Sequence, residues 1–351
     1  MLSSRKRRIL LCFNYRAGYS RRLSGMRRVF KYSFYFILFF AAFLFLNNTS
    51  MFITPAPRPF TMLAHRGLAQ TFSMAGITND TDTSKRIYTP EHNYIENTIA
   101  SMEAAFKNGA AVAELDVQLT KDDRLAVFHD HTLQYRTEGK GRVRDFAMAD
   151  LKKLDVGYGY TADGGKTFPF RGKGIGLMPS LDEVTERFTS ETLLLNIKSN
   201  DPAEGSALAE FLKKLPASRL KGVRVYGGDL PMQTLKAEIP GLPVMSKKIL
   251  MKALAEYELI GWSGYVPDSC RNAWLHIPLQ HAHFLWGWPH KFMARMEGAG
   301  TEVVLVAGDG KFSEGFDTLE DLKKIPAGFS GLVWTNRIDR TGPERQKNSG
   351  V

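Results

Sequence analysis

Acidic residues are absent from the first 31 positions of the chain, whereas ten lysines and arginines lie there. The formal charge of +11 therefore belongs almost wholly to this leader, and the rest of the 351-residue chain carries about +1. Because the net charge of the rest of the chain is close to zero, a basic nucleic-acid-binding domain is not indicated, and no nucleic-acid partner is expected. The chain has two cysteines, Cys12 in the leader and Cys270 far beyond it. It has no internal repeat and no low-complexity tract.

The leader is followed by an uncharged apolar run, YSFYFILFFAAFLFL, from Tyr32 to Leu46. This run is shorter than the ~20 residues that span a bilayer, although Met51–Ile53 would lengthen it. A cleaved signal peptide is the competing interpretation. Against it, the basic stretch before the run is long and no small-residue cleavage site follows the run. We therefore expect an uncleaved transmembrane anchor over residues 32–54.

The orientation of such an anchor follows from the positive-inside rule, because basic flanks stay in the cytoplasm. The leader, residues 1–31, is then cytoplasmic, and the chain is a single-pass membrane protein whose main domain lies outside, facing the periplasm from a bacterial inner membrane. Cys12 and Cys270 would lie on opposite sides of the membrane, so no disulfide is expected between them.

Strand and helix signals alternate over residues 61–345, after a short proline-rich linker at 55–60, and this alternation favours one parallel sheet. The predicted strands are Phe60–Ala64, Val112–Leu119, Leu125–Phe128, Thr192–Ile197, Gly222–Tyr226, Pro243–Met245, Ala282–Leu285, Glu302–Val306 and Gly331–Trp334. The predicted helices are Asn97–Asn108, Leu181–Phe188, Ala203–Leu215, Lys248–Ile260 and Pro289–Gly298. A strand count near eight favours an α/β fold of the TIM (β/α)8 barrel type, preceded by a transmembrane helix. Periodicity alone leaves a doubly wound sheet open.

Two segments are longer than a minimal barrel needs. Leu68–Tyr94 follows the first predicted strand, and the glycine-rich Tyr135–Met178 follows the third. Both come after the carboxyl end of a strand, which is where α/β barrels place their active sites. We therefore expect both insertions to overhang the site.

Three polar clusters stand at the ends of apolar runs: His65-Arg66-Gly67, Glu114-Leu115-Asp116 and His129-Asp130. Glu114 and Asp116 are two apart on a predicted strand, so their side chains point to the same face. Adjacent carboxylates repel unless a cation, a proton or an arginine separates them, which favours a hard divalent ion, Mg²⁺ or Ca²⁺. The alternative is a surface strand with alternating acids, which the apolar neighbours of the pair weaken.

His65 and His129 each end a predicted strand, one on either side of the carboxylate pair. Imidazole has a reference pKa of ~6.5, so one ring is able to remove a proton while the other donates one near neutral pH. Arg66 suits phosphate because its guanidinium holds two oxygens at once. The alternative for Arg66 is an ordinary ion pair with Glu96.

These clusters belong to longer blocks of sequence that occur in one order along the chain. The blocks are AHRG at Ala64–Gly67, ENT at Glu96–Thr98, ELDVQLTKDDRLAVFHDHTL at Glu114–Leu133, TEGKGRV at Thr137–Val143, MPSLDEV at Met178–Val184 and a weaker VWTNR at Val333–Arg337. Together they resemble the glycerophosphodiester phosphodiesterase family. The resemblance implies a TIM barrel, a divalent metal ion, and hydrolysis of glycerophosphodiesters to glycerol 3-phosphate and an alcohol.

The same resemblance implies roles for individual residues. It makes His65 and His129 the acid–base pair, Arg66 a phosphate ligand, and Glu114 and Asp116 metal ligands. It also suggests that a neighbouring glycerol hydroxyl attacks phosphorus to give a cyclic phosphate, without saying which histidine is the base.

The chain departs from the family at one position. Relatives usually carry a third metal carboxylate in a Glu-x-Lys pattern, where this chain reads Asn196-Ile197-Lys198. Asn196 is thus the expected third metal ligand, but as a neutral amide that removes one negative charge from the site. Lys198 matches the family and is expected to contact the phosphate, with a solvated lysine as the alternative.

Two other functions stay open at this point. One is a phospholipase D-like enzyme that acts on lysophospholipids or other lipid headgroups. The other is a catalytically weak phosphodiester-binding protein that has lost metal affinity at Asn196. The expected partner is therefore a small-molecule or lipid-derived phosphodiester.

Overall fold

The computed structural model describes residues 3–53, 60–78, 80–309 and 314–348. The chain divides into two compact units, Met1–Thr49 and Ser50–Val351. Most of the expected proline linker, residues 55–60, lies outside the described residues.

The first unit is one helix, α1 (Ser3–Asn48). Within it, Met26–Asn48 is long and apolar enough to cross a membrane, with a mean hydropathy of 2.0 and none of it buried in the structure. At 1.5 Å per residue this stretch reaches about 34 Å, compared with ~30 Å for a hydrocarbon core. The helix ends at Asn48, before Met51–Ile53. A signal sequence near the N-terminus fits the same description.

The second unit is a TIM barrel, as the alternation of strands and helices predicted. Its strands are β1 (Thr61–Ala64), β2 (Ala110–Leu119), β3 (Leu125–Val127), β4 (Thr192–Ile197), β5 (Val223–Gly227), β6 (Val244–Ser246), β7 (Trp274–Pro278), β8 (Glu302–Val306) and β9 (Leu332–Thr335). Eight of them form a parallel sheet in the order β6-β5-β4-β2-β1-β9-β8-β7, which follows the chain around the ring. The barrel is nearly closed, with its seam between β6 and β7.

Helices connect most of these strands, beginning with α2 (Ile99–Lys107) between β1 and β2. The others are α3 (Met148–Leu151), α4 (Leu181–Arg187), α5 (Pro202–Lys214), α6 (Ala217–Leu220), α7 (Asp229–Glu238), α8 (Lys247–Ile260), α9 (Leu279–Ala282), α10 (His290–Gly298), α11 (Leu319–Leu322) and α12 (Ile338–Asn348). Single 3₁₀ turns lie at Thr83–Arg86, Leu133–Tyr135, Val143–Asp145, Gly261–Ser263 and Asp268–Cys270.

Two strand predictions need correction. The strand predicted at Ala282–Leu285 is wrong, because this segment is the end of α9 and the turn after it. The barrel strand is the earlier Trp274–Pro278, which is buried at every position, whereas Phe284 is 74% exposed. The third predicted strand exists as β3, but it runs antiparallel to β2 and is not one of the eight barrel strands.

The two long insertions pack on one another. Hydrophobic side chains of the second insertion form a separate small core. Ile87, near the end of the first insertion, and Ile95, just after it, pack into the same core. The members from the second insertion include Val143, Met148, Leu151, Val156, Tyr160, Phe170 and Met178. This shared core supports one wall of a cleft above the ends of the strands.

Candidate active site

The site begins with the two carboxylates of β2. Glu114 and Asp116 are both fully buried, on the same face of the strand, as their spacing predicted. Strand register sets their neighbours: Asp116 pairs with Asn196 on β4, and Asn196 pairs with Tyr226 on β5. Side chains from three adjacent strands are therefore brought to one row.

Each oxygen of this carboxylate pair accepts a hydrogen bond from the chain. Glu114 Oε1 accepts from the hydroxyl of Tyr226 (2.7 Å), and Oε2 accepts from the backbone N–H of Arg66 (3.0 Å). Asp116 Oδ1 accepts from Nδ2 of Asn196 (2.9 Å), and Oδ2 accepts from Nδ2 of Asn97 (2.9 Å). These bonds fix the direction of both carboxylates before any ligand binds.

The turn after β1 is what delivers the backbone of Arg66 to Glu114. Arg66 and Gly67 both have positive φ, at 57° and 73°. A Cβ on Gly67 would lie 2.6 Å from Oγ of Ser101, so only glycine fits there. The glycine of the HRG cluster therefore has a steric role in shaping the site.

Two cations stand beside Asp116. Lys198 Nζ is 3.6 Å from Oδ1, and Arg66 Nε is 3.5 Å from Oδ2. Burial raises the pKa of Asp116, but the charges of Lys198, His129 and Arg66 outweigh burial and hold it below its usual range. Glu114 differs, because burial and the neighbouring charge of Asp116 raise its pKa to about 8.

Arg66 forms the ion pair that was one of its two predicted roles, whereas its role as a phosphate ligand stays a prediction. Its Nη1 donates to Oε1 of the buried Glu96 (2.9 Å), which is the expected ion pair. Its Nε lies close to both Asp116 and Nε2 of His65, so the guanidinium also borders the carboxylate pair.

His65 lies at the end of β1, where the parallel pairing with β9 places Ala64 opposite Thr335. Its Nδ1 is 2.6 Å from Oδ1 of Asn336, and its Nε2 accepts a hydrogen bond from Nε of Arg66 (3.1 Å). The ring packs on Trp334, with 4.8 Å between ring centroids. Burial and the charge of Arg66 lower the pKa of His65 to about 3, so its ring is neutral at pH 7.

His129 reaches the same site from β3, which folds back along β2. Its Nδ1 is 2.6 Å from Oδ1 of Asp130, and Oδ2 of Asp130 in turn accepts a hydrogen bond from Nη1 of the buried Arg136. Burial and the charge of Arg66 lower the pKa of His129 to about 4. Burial raises the pKa of Asp130, but Arg136 outweighs it and keeps this carboxylate ionised.

A cleft with a volume of about 1090 Å³ opens over these groups. His65, Arg66, His129, Asn196 and Lys198 all line it. Both insertions contribute to its walls, as their positions after strands predicted; the lining residues they supply include Phe72, Met74, Ile77, Tyr88 and Tyr135. The structure thus gathers all seven residues proposed from the sequence around one cleft, with Glu114 and Asp116 directly beneath it.

The donors around the carboxylate pair match a hard divalent cation in chemical type, since Mg²⁺ and Ca²⁺ take carboxylate and amide oxygens. Burial and the neighbouring charge of Asp116 raise the pKa of Glu114, and a bound cation would oppose both effects. Each carboxylate oxygen accepts one hydrogen bond from the chain and has a second lone pair. Across the described ranges, no group of three or more His, Cys, Asp or Glu side chains is arranged to hold a metal ion.

Sequence reasoning missed several residues that shape the site. Tyr226 and Arg136 carried no motif signal at all. Asn97 and Asn336 were within the blocks ENT and VWTNR, but neither could be assigned a role from those blocks. Their contacts depend on strand register and on the packing of the insertions, which no local pattern reveals.

The fold and the site define an α/β-barrel protein with two histidines, an arginine and a buried carboxylate pair at the carboxyl ends of its strands. Residues 65–231 match the model of the glycerophosphoryl diester phosphodiesterase family. Residues 65–231 therefore belong to this family, and they include all seven proposed site residues.

Individual relatives agree. The chain is 36% identical over 155 residues to the glycerophosphodiester phosphodiesterase of Bacillus subtilis, a match that covers 43% of this chain and 50% of the relative. It is 44% identical over 106 residues to the enzyme of the same name from Caldanaerobacter subterraneus, covering 30% of this chain and 40% of the relative. The chain therefore spans about half the length, or less, of these curated relatives.

Solved structures share the fold. The glycerophosphoryl diester phosphodiesterase domain of a Mycobacterium tuberculosis protein superposes with a TM-score of 0.58 at 17% identity, covering 82% of this chain and 99% of that one. A phosphodiesterase of Oleispira antarctica, determined in complex with the product sn-glycerol-3-phosphate, superposes with a TM-score of 0.51 at 20% identity and covers 83% and 96% of the two chains.

Proposed function

We propose that this protein hydrolyses glycerophosphodiesters to glycerol 3-phosphate and an alcohol, with His65 and His129 as the proton-transfer pair. The observation that carries the proposal is that both imidazoles line one cleft, each with Nδ1 held by a fixed acceptor. Family membership and the product bound to the Oleispira antarctica neighbour support the same reaction class.

We assign phosphate binding to Arg66 and Lys198, because their positive charges border the cleft beside Asp116. A phosphodiester carries one negative charge, and a guanidinium is able to hold two of its oxygens. Lys198 adds a point charge from the end of the neighbouring strand β4. These two groups orient the phosphorus between the two imidazoles.

The different partners of the histidines suggest different roles. Nδ1 of His129 donates to the Asp130 carboxylate, and a carboxylate stabilises the imidazolium form. Nδ1 of His65 faces a neutral amide, which gives less support to a positive ring. We therefore assign His65 as the base that accepts a proton from the attacking hydroxyl. His129, whose ring is neutral at pH 7 in the free protein, is assigned as the acid once the negative charge of a bound phosphodiester favours its imidazolium form. In that form Nε2 holds the proton that goes to the leaving alcohol oxygen.

Where Mg²⁺ or Ca²⁺ binds, Glu114 and Asp116 would hold it, together with the amide oxygen of Asn196. Such an ion would neutralise charge on the phosphate. With two carboxylates and one amide, the ligand set has one negative charge fewer than three carboxylates would give, so we expect weak binding.

A lipid-derived phosphodiester is the second candidate substrate, because the cleft is larger than a glycerophosphate group needs and is apolar on one side. Phe72, Met74, Ile77 and Tyr88 line it on the side of the first insertion. An acyl chain would find apolar contacts there, as in a phospholipase D-like reaction on lysophospholipids.

For the whole chain we propose a cytoplasmic leader at residues 1–31, a single-pass anchor at 32–54, a linker at 55–60 and the barrel at 61–345, placed outside the cytoplasm. The apolar stretch Met26–Asn48 supports this arrangement. Protease treatment of spheroplasts tests it: the barrel should be degraded without lysis, and a protected barrel would contradict the orientation.

Turnover tests the enzymatic proposal. The purified protein is assayed on glycerophosphocholine and on a lysophosphatidylcholine with Mg²⁺, Ca²⁺ or Mn²⁺, and again after treatment with a chelator. We expect release of glycerol 3-phosphate from the first substrate. Activity on the lysolipid alone would favour the second candidate, and no turnover with any of the ions would contradict both.

A further inference from the structure

Asp317 is a carboxylate that the proposed reaction does not use, although it lines the same cleft. It lies in the segment between β8 and α11, outside the residues that match the family model. Oδ1 accepts from the backbone N–H of Asn336 (2.6 Å) and from the hydroxyl of Thr335 (3.1 Å), and Oδ2 accepts from Nδ2 of Asn336 (3.0 Å). The carboxylate thus holds Asn336 by both its main chain and its side chain.

The packing around this contact is tight on both sides. A Cβ on Gly315 would lie 2.3 Å from Oδ1 of Asp317 and 2.6 Å from Nδ2 of Asn336. The backbone N–H of Phe316 donates to the carbonyl of Trp334 (2.8 Å), which ties this segment to β9. Asp317 and Asn336 are therefore pressed together by the main chain around them.

Hydrogen-bond chemistry then determines which end of each group faces which partner. An ionised carboxylate only accepts, so Asn336 must present its Nδ2 to Asp317. Its Oδ1 is left to face Nδ1 of His65 at 2.6 Å, and an amide oxygen also only accepts. Nδ1 of His65 must therefore carry the proton, and Nε2 keeps the lone pair.

We propose that Asp317 is a positioning residue for the reaction, which fixes the amide of Asn336 and through it the Nδ1–H tautomer of His65. This inference rests on the proposed function only for its effect on turnover; the tautomer itself is a property of the free protein. The lone pair on Nε2, on the side of Arg66 and Glu114, is what a base in this position requires. Nε of Arg66 donates to Nε2 and favours the same tautomer from the other side of the ring. Without the Asp317 carboxylate, either end of the amide is able to face His65, so only the Arg66 contact opposes the Nε2–H tautomer and a fraction of the molecules adopt it.

The test compares three variants with the full-length protein. Asp317→Asn keeps the shape of the side chain but is able to donate as well as accept. It therefore no longer determines which end of the Asn336 amide faces it. In the double variant Asp317→Asn/Asn336→Asp the roles are exchanged: the amide now at position 317 donates to the carboxylate now at position 336, whose other oxygen accepts from His65. Asp321→Asn is the matched control, since Asp321 lies four residues on and hydrogen-bonds to the backbone N–H groups of Asp317 and Thr318.

The first readout is the tautomer of His65, measured at neutral pH from the two ring ¹⁵N shifts and assigned with a His65→Gln variant. We expect Nδ1–H in the wild type, a mixture in Asp317→Asn, and Nδ1–H again in the double variant and in the control. An unchanged tautomer in Asp317→Asn would overturn the inference, as would Nε2–H in the wild type.

The second readout is hydrolysis of glycerophosphocholine. We expect Asp317→Asn to lower kcat roughly ten- to a hundredfold with little change in KM, as is typical when a partner that orients a reacting group is removed. The double variant should recover a large part of that loss. Equal kcat for Asp317→Asn and wild type would contradict the positioning role. A wild-type protein without turnover but with the expected tautomers would refute the proposed function and leave this inference standing.

Discussion

The two histidines sit in surroundings of opposite kinds, although each has its Nδ1 held by one acceptor. His65 lies at the end of β1, which pairs with β9, and its Nδ1 contacts the amide of Asn336, which Asp317 holds in turn. His129 follows β3, and its support is the ion pair of Asp130 with Arg136 from the second insertion. In the part of the chain that the structure describes, Asp317 forms no ion pair, whereas Asp130 is held by a buried guanidinium.

This difference shows that the same tautomer is obtained in two ways. The ring of His65 faces a neutral amide, and the Asp317 carboxylate behind that amide is held by neutral donors only. A buried ion pair gives the ring a full negative neighbour, but its charges depend on each other, because either one alone would be costly to bury. Variants that remove one support or the other distinguish the two cases.

The largest effect should come from removing either ring. His65→Ala and His129→Ala should each lower kcat about 10²- to 10⁴-fold, since each removes one partner in proton transfer. Steady-state hydrolysis of glycerophosphocholine measures this. His281→Ala, an exposed histidine on α9, is the control and should behave as wild type. Full activity in either of the first two variants would show that its ring takes no part.

Breaking the ionic support should destabilise the insertion more than any other single change. Arg136→Met keeps much of the side-chain volume but leaves Asp130 and Glu96 buried without the guanidinium that both of them contact. We expect a loss of about 3–5 kcal/mol in the free energy of unfolding, measured in urea. Arg142→Ala, which breaks an exposed pair with Asp145, is the control and should change stability little. Equal effects would show that the buried pair has no special weight.

Neutralising the two supporting carboxylates compares the two surroundings directly. Asp130→Asn should cost about 1.5–3 kcal/mol, because it removes the charged acceptor of the hydrogen bonds from Arg136 and His129. Asp317→Asn should cost less, because burial of the Asp317 charge itself opposes folding, as its raised pKa indicates. Urea unfolding of both variants at pH 7 checks the order, and a larger loss for Asp317→Asn would reverse the comparison.

The site around His129 and the carboxylates was accessible to sequence reasoning, because short motifs sit where apolar runs end. Glu114 and Asp116 were placed on one face from their spacing alone. The direction of β3 was not accessible, since a period of two is the same for parallel and antiparallel strands. Strand β7 was assigned to the wrong segment because two apolar runs lie within a dozen residues and only burial distinguishes them.

The support of His65 was beyond sequence reasoning for a different reason. Asp317 and Asn336 lie about 250 residues and more from His65, and they meet it only because the last strand closes the barrel against the first. Neither the spacing nor the composition of that segment indicates a carboxylate behind an amide. The ion pair of Asp130 with Arg136 was missed as well, although the two are only six residues apart, because their meeting depends on the turn at Leu133–Tyr135.

The smallest predicted effect is a pH dependence of folding stability that has opposite signs for Asp130 and Asp317. The pKa of Asp130 is lowered in the folded protein, mainly because Arg136 outweighs burial, so its ionisation stabilises the fold above the unfolded value of ~3.9 and this stability is lost as pH falls below it. The pKa of Asp317 is raised by burial, so the opposite holds: the folded state binds the proton more tightly, and stability is gained as pH falls towards ~4. Urea unfolding between pH 3 and pH 7 should therefore show the wild type losing its advantage over Asp130→Asn at the acid end, while its advantage over Asp317→Asn increases. If the advantage of the wild type over both variants changed in the same direction with pH, the two carboxylates would lie in the same kind of environment. The contrast between the two supports would then be wrong.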